Sequence, residues 1–402
     1  MSPVHTPPHI FQSTLELLEA MASISSPSGH LAGLEAAARH YGDALEKRGL
    51  RVQIRDEQDE AGGLQPVLYA SGPKAGERCL FLIGHLDTVL EATPPERRDD
   101  RLWATGAVDM KGGLAALVGA LDLLAEQGRH APEDLLLVVV PDEEVAGRLS
   151  GVVVEENGPK ARGFWVLEPG QPREDGETLV IGRRGMFHWH LEVTGQGAHA
   201  GNGYWQGRSA LDAAAEWCLA VRDLCQPGPG PTINAGRMVA GEVTFVDHLA
   251  DNTHLVGTSR QINVVPNRAR VEGEARFLQR RDGRDLPGEM ARRAEEIGRR
   301  REVEMHLEHR GEISPLEPHE GSRAWASKAS QLAQDMGWSL VAEEDRPGIS
   351  FPNFLDDPGD IPVLDGLGPV GGGMHTRQEF VELTSFDRRI ALLAELLASA
   401  AE

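Results

Sequence analysis

The pattern of apolar and polar positions changes character near residue 183. Before that point, amphipathic stretches at 11–23 and 31–48 read as helices, the second ended by Gly49, and strand-like runs follow at 50–55, 66–70 and 79–84. The stretch 89–101 is rich in Pro, Arg and Asp and reads as an exposed loop. Residues 110–127 (MKGGLAALVGALDLLAEQ) read as a buried helix ended by Gly128, and the glycines near its start point to close backbone approach. Leu135 to Val140 is an unbroken apolar run between Pro132 and Pro141, too short for a good helix. It reads as a strand buried on both faces, as in a parallel sheet. Further strands are expected at 163–167 and 178–182, which gives an α/β alternation around a central sheet.

Beyond Gly182 the texture is that of a different layer. Residues 186–194 (MFHWHLEVT) alternate, as expected of a strand with one face on helices. A helix at 207–225, strands at 232–240, 260–265 and 269–278, a helix at 286–301 and a strand at 303–309 follow. That order, strand–helix–strand–strand–helix–strand, resembles a ferredoxin-like α+β unit. A helix at 320–336, short strands near 338–342 and 361–364 and a final helix near 384–401 return to the first texture. The expectation is an α/β domain with a central mixed sheet, formed by 1–182 and 312–402 and interrupted by an inserted domain at 183–311.

Composition narrows the classes. A chain of 402 residues with 40% hydrophobic and 25% charged residues is ordinary for a globular protein of two domains. Its net charge of -22 argues against nucleic-acid binding, which needs clustered Lys and Arg. Cys79, Cys218 and Cys225 form neither a metal-ligand spacing nor an even disulfide framework, which points to a reducing compartment. The start MSPVHTPPHI lacks a charged region followed by an apolar core, and no later run is long enough to span a membrane. The expectation is a cytoplasmic protein.

The chemistry lies where strands end, the place where open α/β sheets bind ligands. Strand 79–84 runs into Gly84-His85-Leu86-Asp87-Thr88, with His85 and Asp87 on one side of an extended chain; such a carboxylate can accept the second N–H of a metal-bound imidazole. Asp109 precedes the buried helix, Glu143 and Glu144 follow Val140-Pro141-Asp142, Glu168 follows strand 163–167, and His375 follows a glycine-rich loop. Each has a bland alternative: a loop histidine, a helix cap, a solvated acidic turn. Together, two imidazoles and four carboxylates at the strand ends of one sheet form a donor set for two cations with mixed N and O ligands. Adjacent glutamates on an extended chain point in different directions, so one can ligate while the other accepts a proton.

These residues, in the motifs GHLDTV (84–89), TGAVDMKGG (105–113), PDEE (141–144), EP (168–169), GAHAG (197–201), NVVP (263–266) and GPVGGGMHTRQEF (368–380), resemble the dinuclear-zinc M20 metallopeptidases. That family includes glutamate carboxypeptidase, acetylornithine deacetylase, succinyl-diaminopimelate desuccinylase and the aminoacylases. The resemblance implies that Asp109 bridges two zinc ions, or manganese or cobalt in their place. His85 and Glu168 would complete one site, and Glu144 and His375 the other. It implies that Asp87 orients His85, that Glu143 is the general base and that the Asp109–Met110 peptide is cis. The insert would be a lid through which a homodimer forms, with His199 reaching the partner's active site to stabilise an oxyanion. Asn263 and Arg276 would hold the substrate's carboxylate.

Two departures from the family pattern stand out. Phe351, in Gly348-Ile349-Ser350-Phe351-Pro352-Asn353-Phe354, occupies a turn where relatives usually carry Asp, and the segment 236–260 is long. The expected activity is hydrolysis of an amide bond next to a free carboxylate in a small peptide, as in glutamate carboxypeptidase or a dipeptidase. Deacylation of an N-acyl amino acid is the alternative within the family, and a metal-binding protein without turnover is the alternative outside it.

Overall fold

The computed structural model describes residues 6–76, 78–251, 263–355, 359 and 361–402. The chain divides into two compact units, Met1–Gly182 with Pro318–Arg346 and Ser350–Glu402, and Arg183–Glu317 with Pro347–Ile349.

The first unit is built on a six-stranded mixed sheet in the order Arg51–Gln58, Leu64–Ser71, Leu135–Val140, Cys79–His85, Ala161–Val166, Val363–Leu364. Cys79–His85 is buried along its whole length and lies parallel to both neighbours, so both of its faces are packed and its sequence carries no polar alternation. The expected strand 135–140 is the neighbour on one side, antiparallel to Leu64–Ser71 on its other flank. Register levels the strand ends. His85 pairs with Val140, and Ile83 pairs with Val166. The residues that follow these strands therefore emerge side by side at one edge of the sheet.

Helix Lys111–Glu126 packs between helices Pro8–Ser23 and Leu383–Ala401 and is apolar nearly all round. Its first turn comes close to the backbone beyond Val166. A Cβ on Gly113 would stand 2.0 Å from the Leu167 carbonyl oxygen, so only glycine fits there. Two helices escape the sequence reading, Arg148–Asn157 and Val243–Asp251. The loop expected at 89–101 contains the strand Glu96–Arg98, which pairs with Arg101–Trp103 and, through it, with Phe380–Glu382 and Gly371–Gly372. Its Arg- and Asp-rich composition hid a solvated hairpin. No helix among the described residues is long and apolar enough to cross a membrane.

The second unit is a four-stranded antiparallel sheet in the order Thr232–Gly241, Arg268–Phe277, Gly185–Thr194, Glu304–Ile313. With helices Ala210–Arg222 and Arg280–Arg301 on one face, this is the ferredoxin-like arrangement. Phe187, Trp189, Leu191 and Val193 alternate inward from Gly185–Thr194 and pack on Trp217 and Met290. The expected helix at 286–301 begins a turn and a half earlier, at Arg280, and carries Pro287 inside it. The long segment 236–260 finishes a strand at Gly241 and enters helix Val243–Asp251; its residues 252–260, and 260–262 of the strand expected at 260–265, lie outside the described residues.

Candidate metal centre

Six of the sequence-predicted groups come together at the sheet edge of the first unit. His85 is fully buried at the end of its strand. Its Nδ1 lies 3.0 Å from the Asp87 carbonyl oxygen and 3.2 Å from Asp87 Oδ1. Both partners are acceptors, which places a proton on Nδ1 and leaves Nε2 as the ring atom turned to the other carboxylates. That Nε2 faces Asp109 Oδ1 at 3.3 Å and Glu168 Oε1 at 3.5 Å. On the other side of Asp109, Oδ2 lies 3.4 Å from His375 Nε2, which is 3.0 Å from Glu144 Oε2. Asp109 thus divides its two oxygens between two trios. The peptide bond that follows it, Asp109–Met110, is cis.

His85, Asp109 and Glu168 form one group, and Asp109, Glu144 and His375 the other; within each, one donor atom per residue lies within 4.8 Å of the rest. Two donors about 2.1 Å from a shared tetrahedral cation stand roughly 3.4 Å apart. The separations of 3.0–3.5 Å between imidazole and carboxylate atoms match that spacing. The donor set therefore fits a pair of divalent cations sharing one carboxylate.

The cluster also concentrates negative charge. Burial, with Asp109 nearby, pushes the Glu144 carboxyl up to about 8 and Glu168 well above the usual carboxylate range. Burial also works against the charge on Asp109, but hydrogen bonds from His375 and His85 outweigh it and hold its pKa low. The bond to Asp109 raises His375 to about 9. His85 is raised as well: burial opposes its charge, and Asp109 and Asp87 more than compensate. Four carboxylates packed this closely need positive charge, supplied either by protons or by cations.

Asp87 does more than orient His85. Its Oδ1 accepts the Glu143 N–H at 3.2 Å, and its Oδ2 accepts the Glu144 N–H at 3.1 Å and the Ser28 hydroxyl at 2.7 Å. One carboxylate thus ties the His85 strand to the Glu143–Val145 turn. Asp142 accepts from the Leu149 and Ser150 amides and the Ser150 hydroxyl, so it caps helix Arg148–Asn157 and takes no part in the cluster. Phe351 is fully buried with its ring 6.4 Å from that of His85, an apolar wall beside the imidazole. Sequence reasoning missed Ser28 and Glu379. Glu379 is buried and accepts the backbone N–H groups of Gly106, Val108 and Asp109. Its position four residues after His375 was the available signal.

The three remaining candidates belong to the second unit. His199 is exposed, and its Nδ1 accepts the Gly201 and Asn202 amides at 3.1 and 3.3 Å. With Nδ1 an acceptor, the neutral ring carries its proton on Nε2 and presents a donor outward. Asn263 is exposed on the neighbouring segment, where its backbone carbonyl accepts the Ala200 amide. Arg276 is half-buried; its guanidinium forks onto Glu274, with both bonds at 3.1 Å, and Nη1 donates to the Pro347 carbonyl at 2.9 Å.

Comparison with known proteins agrees with this geometry. Carboxypeptidase G2 from Pseudomonas sp. (strain RS-16) is 24% identical over 391 residues, 96% of this chain and 88% of its own length. Succinyl-diaminopimelate desuccinylase from Methylobacterium sp. (strain 4-46) is 28% identical, over 92% of this chain and 89% of its own. The crystal structure of Bacillus subtilis YXEP protein, described as a dinuclear metal binding peptidase from M20 family, superposes with a TM-score of 0.66 at 14% identity, covering 98% of this chain and 99% of that one. The model of peptidase family M20/M25/M40 matches residues 81–399. The chain belongs to that family, the M20 metallopeptidases and amidohydrolases, and is a hydrolase.

Proposed function

We propose that this enzyme uses two zinc ions to hydrolyse an amide bond next to a free carboxylate in a small peptide, in the manner of a glutamate carboxypeptidase or dipeptidase. The observation that carries the reading is the division of Asp109 between two donor trios. His85, Asp109 and Glu168 would hold one ion, and Asp109, Glu144 and His375 the other. Ions held there supply a Lewis acid for the scissile carbonyl and lower the pKa of a water towards about 7.

The chain's own groups do the rest. Asp87 fixes the proton of His85 on Nδ1 and holds the Glu143–Glu144 turn through its two amides. Glu143 sits on the same turn as the ligand Glu144, and its charge is felt at both Glu144 and Glu168. From there it takes a proton from the attacking water and returns it to the leaving nitrogen. The inserted unit is the lid and the surface of a homodimer. His199, with its proton on Nε2, donates to the oxyanion in the partner's site. Asn263 and Arg276 hold the substrate's carboxylate, a guanidinium being suited to grip it with two parallel bonds. The similarity to carboxypeptidase G2 over 96% of the chain favours the peptidase reading. The similarity to a desuccinylase supports deacylation of an N-acyl amino acid as the second reading.

A panel of dipeptides, N-acyl amino acids and their C-terminal carboxamides, assayed with added zinc, manganese or cobalt, tests this. The expected result is turnover of the free acids and little of the carboxamides. Equal turnover of both would remove the carboxylate requirement. No turnover of any member by protein with two bound metals would remove the hydrolytic reading itself.

A further inference from the structure

Glu379 stands out among the carboxylates around the cluster because it belongs to neither trio. Its side chain is buried, and both oxygens are spent on backbone: Oε2 accepts the Gly106 amide at 2.8 Å, and Oε1 accepts the Val108 and Asp109 amides, each at 3.0 Å. These amides line the turn that delivers Asp109. Gly106 takes a φ of +74°, which curls the chain so that the three N–H groups converge on one acceptor. At its own backbone, Glu379 accepts the Ala104 amide, and it precedes the strand Phe380–Glu382 that pairs with Gly371–Gly372 just ahead of His375. One residue thus links the turn carrying Asp109 to the hairpin carrying His375.

The two trios depend on this link to different degrees. His85 and Glu168 leave the ends of adjacent central strands, and Asp87 fixes His85 independently. His375 sits at a positive φ of 62° in a loop, with 55% of its side chain exposed, and its imidazole faces only Asp109 and Glu144 among the described residues. We infer that Glu379 is a positioning residue for the metal pair, setting the Asp109 turn against the His375 hairpin, and that its loss weakens the Asp109–Glu144–His375 trio more than the buried one. Only a carboxylate offers acceptors alone to three N–H donors; a carboxamide in its place turns an NH2 group toward at least one of them.

The inference rests on the reading that the two trios hold metal. Metal-free wild type, Glu379→Gln and Glu379→Asp are titrated with zinc against a chelating competitor, and the metal-free forms are unfolded in urea alongside. Wild type is expected to take up two equivalents. Glu379→Gln, which keeps the side-chain volume, is expected to lose about 10- to 100-fold in affinity for the weaker equivalent and less for the tighter one, the range for removing groups that orient metal ligands. Glu379→Asp is expected to fall between the two. Wild-type affinities for both equivalents in Glu379→Gln, with or without a lower urea midpoint, would overturn the inference and leave Glu379 a purely structural residue. A wild type that binds no zinc would instead remove the metal reading from which the inference starts.

Discussion

The candidate groups of the two units are held in opposite ways. In the first unit, imidazoles and carboxylates are anchored from behind: His85 by Asp87, the Glu143–Glu144 amides by the same Asp87, and the Asp109 turn by Glu379. Their donor atoms stand 3.0–3.5 Å apart. In the second unit, His199 and Asn263 are exposed, and the Arg276 fork is already engaged by Glu274. The first arrangement is preorganised for binding cations. The second, on the proposed function, consists of groups that substrate or a partner would recruit. The chemistry is therefore expected to fail abruptly when the first unit is altered and by degrees when the second is.

The largest effect is expected at Asp109. Asp109→Asn removes charge from both trios at once; the purified variant should hold less than one metal per chain by elemental analysis, with turnover down by more than about 10⁴-fold. Two tightly bound metals in that variant would break the claim that the trios share a residue. At His199, in the second unit, the loss should be partial. If His199 acts as proposed, His199→Ala should lower kcat by about 10²–10³-fold, the range for one oxyanion donor, with metal content and the proposed dimer preserved in sedimentation. A fully active monomer would contradict the role in the partner's site.

A smaller contrast lies within the first unit. In metal-free protein, His85→Ala should cost about 1–3 kcal/mol in urea unfolding, because the buried ring leaves a void and deprives Asp87 of a donor. His375→Ala, at an exposed position, should change stability by no more than about 0.5 kcal/mol. Equal destabilisation by the two would show that the trios are not held differently. The smallest effect is expected at Glu274, which on the proposed function competes with the substrate's carboxylate for Arg276. Glu274→Gln should lower KM by up to about fivefold for a substrate with a free carboxylate, the scale of one exposed ion pair, and leave kcat and the carboxamide unchanged. A higher KM would mean instead that Glu274 holds Arg276 in its working orientation.

The clustering of the candidate donors was legible because each follows an apolar run or a glycine turn. His85 and Glu168 end strands with almost no polar interruption, and Asp109 precedes a helix whose apolar surface is continuous. The anchors were less legible. Ser28 and Glu379 act on another side chain or on backbone amides far away in sequence, and side-chain patterns do not report backbone donors. Helix Arg148–Asn157 was missed because Val152, Val153 and Val154 read as strand formers; Asp142, outside the helix, supplies the cap that its own Gly147 lacks. A carboxylate grip at Arg276 was implied only by the family resemblance, whereas its pairing with Glu274 follows from strand geometry, which sets the two side chains on one face two residues apart.

The most direct test of the account is kcat of Glu143→Gln measured together with its metal content. Glu143 lies on the ligand-bearing turn, and the carboxamide keeps the side chain's shape while removing its capacity to take a proton. The account predicts two metals per chain, as in wild type, and a kcat lowered by about 10²–10⁴-fold. A kcat near that of wild type, with both metals in place, would contradict it.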